Sequence, residues 1–249
     1  MAGKRISIEF EGLIKSFKGE PALDGLTGRL EQATLHGLIG PDGAGKTTFL
    51  RMLVGLLKPN QGEIRYLQDG EATPFQAVRP GFAYMPQQQS LYADLSISEH
   101  LDFFRDLYQI PADTYRERRE ELLSITRLKP FADRPAGKLS GGMYKKLGLM
   151  CALLQSPNAV FLDEPTNGVD PISRREFWEM LYRLVEEGIL VVISTAYMDE
   201  AERCGQVHIL EKGKFLAQGE PWEVLKQEGV KSFEDLFLKR EEAKRTITV

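Results

Sequence analysis

Apolar residues alternate with polar ones at Ile6, Ile8 and Phe10, the period of a half-buried strand, and short turn-rich segments follow through Arg29 and Leu30. Leu35, Leu38 and Ile39 form a short apolar strand that runs into a glycine cluster. Beyond the cluster the period changes: Phe49, Leu50, Leu53 and Leu57 share one face of a helix predicted over 46–57. The breaker at 58–62 precedes a strand over 63–67, and Pro86 closes another over 82–85. From about 88 to 157 the texture is helical. Ser96 or Ser98 caps a helix carrying Leu101, Phe104, Leu107 and Tyr108, and a second, charged helix covers 111–128.

After this insert, strand and helix alternate: strand 159–162, helix 171–187, strand 189–193, helix 198–203, then strands around 207–210 and 215–217. Such alternation predicts a parallel sheet in an α/β core. The chain of 249 residues corresponds to roughly 1.7 average domains, so one large domain with an insert fits.

Composition narrows the chemistry. With 32 basic and 36 acidic residues the net charge is −4, a balance that lacks the basic footprint of a duplex-binding protein, and no direct nucleic-acid partner is expected. The two cysteines, Cys151 and Cys204, have no metal-site spacing and read as small core residues in a reducing compartment. The opening residues carry no signal-type apolar run, and no stretch approaches the roughly 18 apolar residues that span a bilayer. A role at a membrane would need other segments to cross it.

Three motifs carry the candidate chemistry. Gly40-Pro41-Asp42-Gly43-Ala44-Gly45-Lys46-Thr47, followed by Thr48, matches the phosphate-binding pattern G-x-x-x-x-G-K-[ST] between a predicted strand and a predicted helix. Glycines let successive N–H groups converge on phosphate oxygens, the helix N-terminus faces them, Lys46 neutralises the terminal phosphates and Thr47 offers a hydroxyl to Mg²⁺. The second motif is Asp163-Glu164 at the carboxyl end of the 159–162 strand, where open α/β sheets bind ligands. There Asp163 can hold Mg²⁺ through water and Glu164 can act as general base; two acids merely opening a turn before Pro165 is the competing reading. The third is Leu139-Ser140-Gly141-Gly142, ahead of a helix over 143–154, for which a plain Ser140 N-cap is the simpler account.

In their chain order, phosphate loop, then Leu139-Ser140-Gly141-Gly142, then Asp163-Glu164, the motifs resemble the ATP-binding cassette (ABC) ATPases. Chance would put the phosphate loop and the L-S-G-G pattern together in about one chain in ten thousand. The resemblance implies a P-loop NTPase core with an antiparallel β-subdomain and a helical subdomain, one domain over 1–249 closed by a C-terminal helix and tail over 228–249. It implies ATP and Mg²⁺ as ligands. It places Phe17, otherwise an ordinary core residue, on the adenine, and Gln87 beside Mg²⁺ and the attacking water. It makes catalytic groups of Glu164, Gln87 and Lys46, and metal ligands of Thr47, Gln87 and Asp163. Gly168-Val169-Asp170-Pro171 resembles the family's D-loop, although Asp170 as N-cap before a first-turn proline explains it equally.

The family implication extends to partners. Two ATPase domains, alike or unlike, pair head to tail, so that Ser140, Gly141 and Gly142 of one close over the ATP of the other. Transmembrane permease domains dock near Gln87 and the helix after Ser96, which puts the chain at the cytoplasmic face of a membrane, most simply a bacterial inner membrane. A ribosome-acting ABC ATPase and a regulatory ATP-binding domain are the other readings. One departure stands out. Where the family has Ser-Thr-His, this chain has Ser194-Thr195-Ala196, and its histidines are His36, His100 and His208. A side chain with no donor or acceptor at that place implies slow hydrolysis in the chain's own site. Asp42, Met143, 170–175 and Ser194-Thr195-Ala196-Tyr197-Met198 resemble the ABC-2 type exporters in which two unlike ATPase domains are fused in one chain, and the related ribosome-associated ATPase. At the end of the chain, 231–240 has one apolar helical face, and 244–249 echoes 4–8 as if another first strand began there.

Overall fold

The computed structural model describes residues 5–88 and 91–247, the side chains of 241–247 excepted. β1 (Ile6–Phe17) and β2 (Glu20–Leu30) form a long antiparallel hairpin. β3 (Leu35–Ile39) leads through the phosphate loop into α1 (Lys46–Leu53), after which β4 (Gln61–Gln68) and β5 (Glu71–Thr73) return to the first hairpin. A short α2 (Phe75–Val78) precedes β6 (Phe82–Met85). The helical part is α3 (Ile97–Tyr108), α4 (Ala112–Ile125) and α5 (Gly141–Leu153). Then come β7 (Ala159–Asp163), α6 (Pro171–Glu186), β8 (Leu190–Thr195), β9 (Gln206–Glu211), β10 (Lys214–Gly219), α7 (Pro221–Glu228) and α8 (Phe233–Ile247).

The strands make two sheets. One is antiparallel in the order β2-β1-β4-β5; the other runs β10-β9-β3-β8-β7-β6, parallel except for β10. The central strands are apolar on both sides because both faces of this sheet are covered. Alternate residues of β7 show it: Val160 and Leu162 join the core shared with α3, α5 and α6, whereas Ala159 and Phe161 join the core shared with α1 and the antiparallel sheet. Ser96 caps α3 in a reciprocal capping box with Glu99, which decides between the two serines.

Three expectations are corrected. Residues 20–30 form one continuous strand, its register shifted by bulges against β1, which is why the sequence reads as broken turns. α7 was not anticipated from the sequence. Residues 244–247 continue α8 as helix, so they start no strand; 248 and 249, like 4 at the other end of the echo, lie outside the described residues.

Two of the histidines are structural. A one-way chain links them: Glu31 N–H donates to His36 Nε2 at 2.9 Å, His36 Nδ1 lies 3.2 Å from His208 Nε2, and His208 Nδ1 lies 2.9 Å from Gln218 Oε1. Gln218 Nε2 then donates to Thr27 O at 3.1 Å. Burial pushes His36 down to about 3, with His208 adding repulsion, and burial pushes His208 down to about 4. Both rings are neutral in the fold while unfolded histidine titrates near 6.5, so between these values the unfolded chain binds more protons. Stability is therefore full above pH ~6.5 and falls as the pH drops towards 4, with a slope approaching about 1.4 kcal/mol per pH unit for each ring. Thermal melts from pH 7.5 to 4.5 check this; a His208→Gln variant with an undiminished slope would contradict it.

Candidate nucleotide site

The phosphate loop joins the carboxyl end of β3 to α1, and its shape depends on a glycine immediately before the lysine. Gly45 has φ 109°, and a Cβ there would come within 2.5 Å of Ala22 O in β2. Only glycine permits that backbone turn and that approach. Lys46 is buried, its Nζ donating to Gly40 O at 2.8 Å and Pro41 O at 3.1 Å while pairing with Glu164 Oε1 at 3.2 Å.

Glu164 stands just past the carboxyl end of β7 in a left-handed conformation, φ 47°, which a non-glycine residue holds only when its surroundings fix it. Its N–H is bound by Ser194 O at 3.1 Å and Ser194 Oγ at 3.0 Å. Its carboxylate receives Gln87 Nε2 at 2.8 Å and Asn167 Nδ2 at 3.4 Å as well as the Lys46 ammonium. Asp163, fully buried, accepts from Ser194 Oγ at 2.6 Å and Tyr84 OH at 3.3 Å. Burial and the Asp163 charge push the Tyr84 phenol up, so it remains a donor at neutral pH.

Lys46, Gln87 and Glu164 face a cleft of about 320 Å³ lined also by Phe17, Ala22, Asp42, Gly43, Ala44, Gly45, Thr47 and Thr48; Asp163 is fully buried and does not line it. Phe17, one of the lining residues, is 47% exposed and so is not a core residue. The site fits a magnesium nucleotide by donor chemistry. Consecutive loop amides and Lys46 suit phosphates, and Thr47, Gln87 and Asp163 are oxygen donors of the kind Mg²⁺ prefers when phosphate and water complete its shell.

Ser140, Gly141 and Gly142 lie elsewhere and do not line the cleft. Ser140 and Gly141 are exposed at the start of α5, where Ser140 Oγ accepts from Met143 N at 3.3 Å. Gly142 is buried, and a Cβ there would meet Ser173 at 2.4 Å, so the N-termini of α5 and α6 press together. Asp170 caps α6 through Ser173 N at 2.9 Å. The motif and the turn after Thr166 thus form one exposed edge.

The sequence motif matches the ABC transporter family over residues 23–167. The chain belongs to the ABC transporter ATP-binding family. It is 45% identical over 216 residues, 86% of its length, to a probable multidrug ABC transporter ATP-binding protein, YbhF, of Escherichia coli strain K12. It spans only 37% of that relative. It is 38% identical to the Nod factor export ATP-binding protein I of Ralstonia nicotianae, covering 89% of this chain and 69% of that one. Among solved structures, the ATP-binding subunit of an ABC transporter superposes with a TM-score of 0.81 at 28% identity, covering 93% of this chain and 98% of that one.

Against this family frame, four contributors to the ABC site escaped the sequence reading: Tyr84 and Ser194 on Asp163, Asn167 on Glu164, and Lys145, whose Nζ donates to Gln87 O at 3.1 Å. Ser194 could have been found, because it is the register partner of Asp163 on the neighbouring parallel strand.

Proposed function

We propose that this chain is the ATP-binding and hydrolysing domain of an ABC exporter. Phe17 stacks on the adenine, and the loop amides with Lys46 and Thr48 hold the phosphates. Thr47, Gln87 and Asp163 provide the magnesium ligands, Asp163 through water, and bound Mg²⁺ supplies the Lewis acid that draws charge from the phosphates. Glu164 polarises the attacking water. A second ABC ATPase domain, a second copy or an unlike one, faces the cleft head to tail, and Ser140, Gly141 and Gly142 close the partner's nucleotide.

The observation that carries this reading is a division of labour: phosphate loop, Gln87 and Glu164 share one cleft, while the Ser140 edge is exposed away from it. Transmembrane permease domains dock on the apolar face beside Gln87, where Tyr92, Phe103 and Leu107 are exposed and a groove of about 290 Å³ runs between Met85, Leu91, Phe104 and Tyr108. No helix among the described residues is long and apolar enough to cross a membrane. The chain is then peripheral, at the cytoplasmic face of a bacterial inner membrane. The multidrug and Nod factor relatives support export over action on ribosomes.

Removing the charge of Lys46 tests the site. Lys46→Ala weakens ATP by roughly 10- to 100-fold, the worth of a lost hydrogen bond to a charged group, and lowers the melting temperature because Glu164 loses its buried cation. Fluorescent-nucleotide titration reads it, and equal affinity would refute the phosphate assignment. Co-purification with a polytopic membrane protein supports the exporter reading; co-sedimentation with ribosomes overturns it.

A further inference from the structure

Consecutive lysines of α5 do different things. Lys146 pairs with Glu176 of α6, which Arg127 also holds at 2.6 Å, and this binds two helices together. Lys145 points the other way. Its half-buried ammonium donates to the main-chain carbonyl of Gln87 at 3.1 Å, in a segment that neither motif contains. From there the contacts continue without a gap: Gln87 Nε2 to Glu164 Oε2 at 2.8 Å, then Glu164 Oε1 to Lys46 Nζ at 3.2 Å, then Lys46 to the loop carbonyls.

A neutral donor would satisfy one carbonyl as well, and an ammonium loses more hydration than an amide when it is half buried. What the ammonium holds is the segment whose Gln87 side chain donates to Glu164 Oε2 at 2.8 Å. Lys46 is the cation paired with Glu164, and it is also the residue assigned to phosphate. Lys145 joins this arrangement from α5, through the Gln87 carbonyl.

We propose that Lys145 is a positioning residue: from the helix that Ser140 caps, it holds the segment carrying Gln87, and through Gln87 it holds the carboxylate of Glu164. This rests on the ATPase reading above. It makes the chain's own hydrolytic group and its exposed Ser140 edge one mechanical unit, so that the state of one nucleotide site is felt at the other. Coupling of this kind is typically worth about 5- to 150-fold.

The test compares Lys145→Met, which keeps the stem and drops the ammonium, with Lys145→Arg, which keeps the charge. In the full chain, single-turnover hydrolysis of bound magnesium ATP slows roughly tenfold in K145M, the order of loss that follows when a catalytic group is held slightly out of place. The ATP dissociation constant and the melting temperature stay as in the parent, and K145R recovers most of the rate. In a Gln87→Ala background, K145M adds less than about twofold, because the two act through one path. An unchanged rate, a slowing matched by equally weakened ATP binding, or full additivity with Q87A overturns the role. A parent chain that neither binds nor hydrolyses ATP overturns the ATPase reading and the Lys145 role together. A parent that does both while K145M matches it overturns the Lys145 role alone.

Discussion

In a Glu164→Gln variant, hydrolysis of bound ATP slows by roughly 10²- to 10⁴-fold, the usual contribution of a positioned general base. Nucleotide binding survives. Glutamine has the same shape, and its amide oxygen still accepts from Gln87 Nε2, so the backbone at φ 47° and its bonds to Ser194 need not change. What disappears is the basic carboxylate and its pairing with Lys46, now 3.2 Å away. An ammonium released from that pair is freer to meet phosphate, so affinity for ATP holds or rises. Single-turnover hydrolysis and nucleotide titration on the same preparation separate the two effects. On the head-to-tail pairing proposed above, the same preparation forms a dimer with ATP that persists in size-exclusion chromatography. A variant that turns ATP over at the parent's rate would remove Glu164 from the chemistry and leave it the structural acid of a turn.

How much of this was legible in the sequence depends on whether the partners are local. The phosphate loop, the acids after β7 and the caps Ser140 and Asp170 are set by neighbours within a few residues, and the structure places all of them at element ends. The strands of the parallel sheet were legible because burial on both faces leaves continuous apolar runs, as in the residues 190–193 that open β8. β2 was not: its bulges interrupt the alternation that identifies a strand. Nor were most of the groups that orient the acids, Gln87 being placed beside the site only by the family resemblance. Tyr84 reaches Asp163 across 79 positions, Gln87 reaches Glu164 across 77, and Lys145 reaches Gln87 across 58. Such pairs exist only once β6 and β7 lie side by side and α5 packs below them. The sequence contains their side chains but no local pattern that joins them.

Ala196 was legible as a departure, and the structure gives it room to be reversed. It follows β8 directly and is exposed, on the wall of a cavity of about 210 Å³ shared with Asp42, Glu164, Asn167, Thr195 and Tyr197. Asp42 and Glu164 also line the nucleotide cleft, so the two spaces adjoin. An imidazole at 196 would enter this cavity without displacing the core, because Thr195 on one side is buried and fixed and Tyr197 on the other is already tied to Asn167 at 3.3 Å. A donor set there adjoins the phosphate end of the cleft, where negative charge develops during hydrolysis. Removing one such donor from an enzyme costs about 10²- to 10³-fold, so Ala196→His should raise single-turnover hydrolysis by up to that factor. ATP affinity should move little, since the gain belongs to the transition state. The double variant Ala196→His with Glu164→Gln should lose the gain, because the imidazole helps a water that Glu164 must first activate. An Ala196→His chain that is no faster than its parent, with its melting temperature intact, would mean that the missing histidine does not limit this site.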